Sequence, residues 1–287
     1  MLAIAATGCA GSSVSVPGKP IYLGVYESGS PRSYAAVSAF SKATGACISF
    51  ALYYSSWYES FKMEFAEAAF GSGAAPVVQI EPFHVSLAAI AAGHYDVFLR
   101  NYALALRAYG HQVVIGFGHE MNAPWYSWGW GHTKPVDFVR AWRHVVQVFR
   151  YMGATKVTWL WTINSLNSRV AAPLAWWPGK QYVTWVGIDG YYVRTADTFA
   201  SVFGRTITVV RSFIRKPVLI SETAVGPAAG QERGIPDLFA GVKRNHLLGL
   251  IWFDVHQYGS SYRQDWHLAD NPTALAAFRK ATAGMGR

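Results

Sequence analysis

The sequence predicts an α/β fold, a (β/α)8 TIM barrel formed by a single domain. Eight short runs rich in β-branched and aromatic residues alternate with stretches of helical periodicity, which is typical of a parallel sheet. The chain has 287 residues, close to the roughly 250 of such barrels. No glycine-rich phosphate-binding turn follows the first run, so an open, doubly wound sheet is less favoured.

The strands can be placed in chain order. Residues 1–20 are predicted to be a leader or linker, and residues 21–287 to form the barrel domain. The predicted strands cover residues 21–26, 47–52, 76–80, 113–117, 157–161, 185–189, 218–221 and 250–253.

Helix starts are marked by proline. The pair Ser30-Pro31 is predicted to open the first helix, because it supplies a capping residue followed by proline at the first helical position. A helix with apolar residues at helical spacing is predicted from Pro135 until Gly153 ends it. An Asn-Pro pair at 271–272 is predicted to open the last helix.

Composition restricts the function classes. The formal net charge is +9, but Lys and Arg are scattered, which favours a solvated basic surface over nucleic-acid binding. No apolar run is long enough to span a bilayer. The chain has 12 Trp and 16 Tyr, more than a core usually needs, and the faces of such rings stack on sugars.

The N-terminus suggests export. Cys9 follows small residues and precedes a polar stretch, which looks like the end of a bacterial lipoprotein signal. An ordinary truncated signal peptide and an unmodified cysteine are the alternatives. We expect a secreted or cell-surface protein and a monomer, with membrane contact only through a lipid anchor at Cys9.

Acidic residues collect where the predicted strands end. In this fold the active site lies at the C-terminal ends of the strands. Six of the 16 acids lie at or just after the ends of strands, and the loops after the strands add aromatic and polar side chains. The acids are Glu27, Glu81, Glu120, Asp189, Glu222 and Asp254; the loop residues are Trp125, Trp128, Trp130, Asn164, Tyr191 and His256. Glu27 and Asp254 could equally be structural caps or ion-pair members.

Two of these acids are suited to glycosidic bond cleavage. Glu120 follows the fourth strand and Glu222 the seventh, so inward-pointing side chains can meet across the barrel. Hydrolysis of a glycosidic bond needs such a pair, one carboxyl to protonate the leaving oxygen and one to attack or to activate water.

The residues around Glu120 resemble a known family. His119-Glu120-Met121-Asn122, followed by Trp125-Tyr126 and Trp128, is similar to the HEMN-x-x-WYxW signature of glycoside hydrolase family 26. Further segments that look familial are 137–144, 157–164, 186–191, 216–223, 251–253 and 265–266. That family consists mostly of endo-β-mannanases, with some β-1,3-1,4-glucanases and β-1,3-xylanases.

The resemblance implies a role for each matching residue. Glu120 would be the acid/base and Glu222 the nucleophile of a retaining mechanism. His119 would touch the sugar, Tyr191 would hydrogen-bond the nucleophile, and Trp125 and Trp252 would be stacking platforms. Asn122, Glu81 and an exposed Trp128 complete the predicted substrate-binding set. The sequence departs from the family at Ala123, usually Gly, and at Phe253, often Arg in mannanases.

No cofactor and no catalytic metal are expected. His119-Glu120 begins like a zinc-protease motif, but position 123 is Ala where the second His ligand would stand. The leading prediction is a retaining endo-hydrolase of β-1,4-mannan. The alternatives are a β-1,3-1,4-glucanase, a β-1,3-xylanase, or a cell-surface carbohydrate-binding protein that has lost catalysis.

Overall fold

Eight parallel strands close into a barrel in the computed structural model of the chain, which describes residues 21–257, 263–283 and 285. Each strand pairs with the next along the chain, and the eighth pairs with the first. The predicted (β/α)8 fold is therefore confirmed. The strands are β1 (Tyr22–Glu27), β2 (Phe50–Ser56), β3 (Ala75–Glu81), β4 (Val113–Phe117), β5 (Val157–Asn164), β6 (Trp185–Asp189), β7 (Val218–Thr223) and β8 (Gly249–Asp254).

Helices cover the outside of the barrel. They are α1 (Ala35–Thr44), α2 (Met63–Gly71), α3 (Leu87–Ala91), α4 (Asp96–Tyr109), α5 (Pro135–Tyr151), α6 (Arg205–Phe213), α7 (Gln231–Arg244) and α8 (Pro272–Thr282). A 3₁₀ turn at Pro173–Trp176 lies between β5 and β6. After β8 the short strands β9 (His256–Gln257) and β10 (Gln264–Asp265) pair antiparallel, and a 3₁₀ turn follows at Leu268–Asp270.

Two of the three predicted helix starts are confirmed and one is wrong. α5 begins at Pro135, and the Asn271 side chain accepts hydrogen bonds from the backbone of Thr273 and Ala274 at the start of α8, as predicted. The prediction for Ser30-Pro31 was wrong. These residues lie in the turn after β1, where the Ser30 N–H donates to the Glu27 carbonyl (2.9 Å), and α1 begins only at Ala35.

Two apolar layers hold the barrel together. Inward-facing side chains such as Phe50, Leu160 and Ile251 fill its interior. The larger layer lies between the strands and the helices. Gln79 also enters the interior, where its amide donates to Thr162 (3.0 Å), and it fits because Gly116 opposite has no Cβ.

The leader at residues 1–20, including Cys9, lies outside the described residues. Among the helices that are described, none combines the length and apolar character needed to cross a membrane.

Candidate active site

The backbone turns sharply where β4 ends at the barrel mouth, the rim formed by the C-terminal ends of the strands. Gly118 (φ 55°) and Glu120 (φ 53°) both have left-handed backbones. Residues other than glycine rarely adopt this backbone conformation, since the Cβ atom crowds the backbone. The Glu120 N–H donates to the carbonyl of Thr162 on β5 (3.0 Å), which fixes the turn against the neighbouring strand.

Both carboxyl oxygens of Glu120 accept hydrogen bonds. The Asn164 amide donates to Oε1 (2.5 Å), and the Trp125 indole N–H donates to Oε2 (2.6 Å). Glu120 is buried, whereas the Trp125 side chain is 47% exposed. Trp125 therefore combines a donor to Glu120 with a ring that solvent, or a sugar, can reach.

Glu222 is brought into the mouth by a shift in strand register. Ile188 of β6 pairs with Ile220, but the next residue, Asp189, pairs with Glu222. The extra residue in β7 has the effect of a β-bulge, which re-aims a side chain. The Tyr54 hydroxyl donates to one Glu222 oxygen and the Tyr191 hydroxyl to the other.

The two glutamates have different electrostatic environments. Burial, and then the charge of Glu222, raises the pKa of Glu120 to about 8. Burial also raises the pKa of Glu222, but the hydrogen bonds from Tyr191 and Tyr54 oppose this effect. Because hydrogen bonds from phenols favour the charged form, Glu222 is the better candidate for the ionised partner and Glu120 for the protonated one.

Two more acids face the pair. Burial, and then Glu222 and Glu120, raises the pKa of Asp189, which accepts a hydrogen bond from the Ser221 hydroxyl (2.6 Å). Burial, and then Glu222, raises the pKa of Glu81 to about 7. Each of the four carboxyls at the mouth thus has a raised pKa.

Glu27 and Asp254 form a second acidic pair. They are neighbours across the β1–β8 junction, and both are buried. Burial, and then Asp254, raises the pKa of Glu27 to about 9. A protonated Glu27 can therefore share its proton with Asp254.

His119 is buried beside the mouth as a neutral ring. Its Nε2 is 3.0 Å from the Tyr126 hydroxyl, its ring lies 5.3 Å from that of Tyr54, and burial lowers its pKa to about 3. Trp128 supports it from behind, donating to the His119 carbonyl (2.8 Å) and stacking on Tyr126 with 4.4 Å between ring centroids. Trp128 is only 1% exposed, so the prediction that it is an exposed platform was wrong.

Asn122 connects loops and is not open to a ligand. Its amide donates to the carbonyls of Asn164 (3.0 Å) and Ala171 (3.2 Å), and its Oδ1 accepts from the Asn164 N–H (2.9 Å). Asn122 has no exposed surface, so the prediction that it binds substrate was wrong. It instead positions Asn164, which donates to Glu120.

The prediction for Trp252 was also wrong. Its side chain has no exposed surface, packs against Phe278 of α8 (5.2 Å between centroids) and donates to Asp254 and to the Trp266 carbonyl (both 3.2 Å). Side chains alternate along a strand, so the next residue points the other way. Phe253 contacts the rings of Tyr26 (4.9 Å) and Tyr191 (5.8 Å).

Tyr54 was not among the predicted site residues, and Tyr126 was predicted only as part of the motif that follows Glu120. Tyr54 follows Tyr53 in β2, and the latter is wholly buried on the helix side. Only the position of Tyr54 in the sequence could have indicated a site residue, because it lies near the end of its strand, much as Tyr191 lies just after β6.

Comparisons with known proteins identify the family of the chain. Residues 103–282, more than half of the chain, match the model of glycosyl hydrolase family 26. A relative named endoglucanase H from Acetivibrio thermocellus is 28% identical over 270 residues, 88% of this chain. The match covers only 29% of the length of that relative.

Solved structures share the fold. A Cellulomonas fimi endo-β-1,4-mannanase double mutant has a TM-score of 0.71 at 15% identity, covering 92% of this chain and 71% of that one. A Bacteroides ovatus GH26 β-mannanase has a TM-score of 0.70 at 12% identity, covering 93% and 89%. Identities this low establish the fold alone. The family match over most of the barrel does more: the chain belongs to glycosyl hydrolase family 26.

Proposed function

We propose that this protein is a retaining endo-glycoside hydrolase that cleaves the backbone of a β-linked polysaccharide. The observation that carries the proposal is the pair of glutamates at one mouth, where Glu120 is buried with a raised pKa and Glu222 accepts hydrogen bonds from two phenols. A retaining mechanism needs one carboxyl that is protonated at first and one that attacks as the anion.

The two steps follow from these environments. In the first, Glu222 attacks the anomeric carbon while Glu120 gives its proton to the leaving oxygen, and a covalent glycosyl ester forms. Loss of the proton from Glu120 then lets it act as a base toward water, which hydrolyses the ester. The exposed Trp125 ring offers a stacking surface for a sugar next to Glu120.

β-1,4-Mannan and a β-glucan are the two candidate substrates. The two structural neighbours are mannanases, which favours mannan, at 12–15% identity. The relative named endoglucanase H, of which the match covers 29%, favours a glucan, at 28% identity over 88% of this chain. Because Phe253 also contributes an apolar ring to the mouth where mannanases of this family often carry Arg, we propose a β-glucan as the preferred substrate and mannan as the second.

Azide rescue tests the division of roles. Glu222→Ala should lose nearly all activity, and azide should restore some of it as a glycosyl azide of inverted configuration. Glu120→Ala should still react with substrates that have good leaving groups, giving an azide product of retained configuration. Glu64→Ala removes an exposed glutamate of α2 and serves as the matched control.

Product analysis decides between the outcomes. NMR of the first sugar formed by the wild type should show retention, and reducing ends released from barley glucan should exceed those from mannan, galactomannan or β-1,3-xylan. Inversion would contradict the mechanism, and faster release from mannan would overturn the substrate order. Binding without hydrolysis on every polysaccharide would point to a carbohydrate-binding protein.

A further inference from the structure

The loop after β8 brings two imidazole rings together. Asp265 of β10 lies opposite His256 of β9 in the antiparallel pair, and His267 follows just before the 3₁₀ turn Leu268–Asp270. The centroids of the two imidazole rings are 4.7 Å apart. Asp270, at the end of that turn, faces both rings.

Three atoms converge at this point. Nε2 of His256 is 3.6 Å from one carboxyl oxygen of Asp270, and Nδ1 of His267 is 3.5 Å from the other. One ligand atom from each residue lies within 4.8 Å of the other two. Ligands around a tetrahedral zinc ion, with bonds of about 2.0–2.2 Å, are about 3.4 Å apart. The two contacts with Asp270, at 3.6 and 3.5 Å, are close to that spacing.

The opposite nitrogen of each ring faces another carboxylate. Asp265 Oδ1 is 2.9 Å from His256 Nδ1, and Asp254 Oδ2 is 3.7 Å from His267 Nε2. The contact between His256 and Asp265 is a hydrogen bond of the kind that supports a metal ligand, because it orients the ring and leaves the other nitrogen unprotonated. His267 Nδ1 is suited to be a ligand atom, since it is buried and has no hydrogen-bond partner among the described residues.

We propose that His256, His267 and Asp270 bind a divalent first-row transition metal ion, with zinc the best match to two imidazoles and one carboxylate. Water would occupy the fourth tetrahedral position, and neither Glu120 nor Glu222 is among the ligands, so the role we propose for the ion is structural. A metal here would hold β9, β10 and the turn before α8 together. Trp266 lies between β10 and this turn and packs on the Tyr191 ring (4.9 Å between centroids). The ion would therefore also stabilise the position of Tyr191, which donates to Glu222.

The competing explanation is a cluster of His–Asp ion pairs that binds no metal. Metal-binding measurements distinguish the two. The protein, without an affinity tag, is stripped of metal with a chelator and exchanged into buffer near pH 7.5. Titration calorimetry with zinc chloride should give one site per chain, and cobalt should give the visible absorption of a tetrahedral complex. Zinc at about 100 times its Kd should raise the Tm by about 5–10 °C.

Two variants and a control locate the site. Asp270→Asn changes an exposed carboxylate in place, and His256→Ala removes one ring; each should weaken zinc binding at least tenfold and abolish the Tm rise. His94→Ala, which removes an exposed histidine between α3 and α4, should bind zinc like the wild type. Absence of saturable zinc binding to the wild type, or equal binding by Asp270→Asn, would overturn the proposal.

Discussion

The two phenols on Glu222 predict a defined change in the pH profile. Tyr54 and Tyr191 each donate a hydrogen bond to this carboxylate, and both bonds lower a pKa that burial raises. Replacing either tyrosine with Phe keeps the ring and removes the donor. A hydrogen bond to a charged group contributes about 1.5–3 kcal/mol, and one pKa unit corresponds to about 1.4 kcal/mol. The pKa of Glu222 should therefore rise by about 1–2 units in each variant.

The sign of the effect follows from the role of each acid. Glu222 must be ionised to attack, so activity is lost as the pH falls through its pKa. Glu120 must be protonated, so activity is lost as the pH rises through its pKa of about 8. Tyr54→Phe and Tyr191→Phe should move the acidic limb to higher pH and leave the basic limb nearly in place, which narrows the optimum.

The assay is kcat/KM on a soluble polysaccharide across the pH range. Tyr151→Phe, which removes the hydroxyl of an 86% exposed tyrosine at the end of α5, is the control and should keep the wild-type profile. An acidic limb that stays in place in both test variants would refute the assignment of Glu222 as the ionised group. Equal shifts of both limbs would indicate a general structural change instead.

Three further predictions concern other side chains. Trp252→Ala should cost about 3–5 kcal/mol of stability in denaturant unfolding while kcat/KM of the folded enzyme changes little; a raised KM at unchanged stability would contradict its burial. Trp125→Phe keeps a ring but removes a donor that lowers the pKa of Glu120, so the basic limb should move to higher pH with KM nearly unchanged, and a downward shift would argue against that bond. Burial and Asp254 raise the pKa of Glu27 from 4.5 to about 9, so this group makes the fold less stable as the pH rises through that window. Glu27→Gln should therefore melt higher than the wild type at about pH 8 and similarly at about pH 4.5, whereas a constant difference would contradict the raised pKa.

The barrel could be predicted from the sequence because each strand and helix is marked by residues within its own short segment. Every predicted strand overlaps a strand of the structure, since eight apolar runs separated by helical stretches leave few other folds. The placement of Glu120 and Glu222 at the barrel mouth was also predictable, because each lies at or just after the end of a strand.

Side-chain direction was harder to predict. The segment Leu250–Phe253 is apolar throughout, because a barrel strand is buried on both faces, so no alternation marks which of Trp252 and Phe253 points to the mouth. The register shift in β7 has the same consequence: regular alternation from inward-facing Leu219 would have turned Glu222 outward. Asn122 was misassigned because its partners, the backbone groups of Asn164 and Ala171, are remote in sequence.

The left-handed backbone at Glu120 lowers the stability of the fold at a residue that the proposed activity requires. Holding a side chain in this conformation costs about 1–2 kcal/mol, and its buried carboxyl adds to that cost. Glycine would adopt the same φ without strain and would bury no acid. Selection for thermal tolerance alone would therefore favour the loss of this glutamate, and only selection for turnover keeps it. Stabilised forms of this enzyme should be sought at positions away from the β4 turn, where added stability does not conflict with the chemistry.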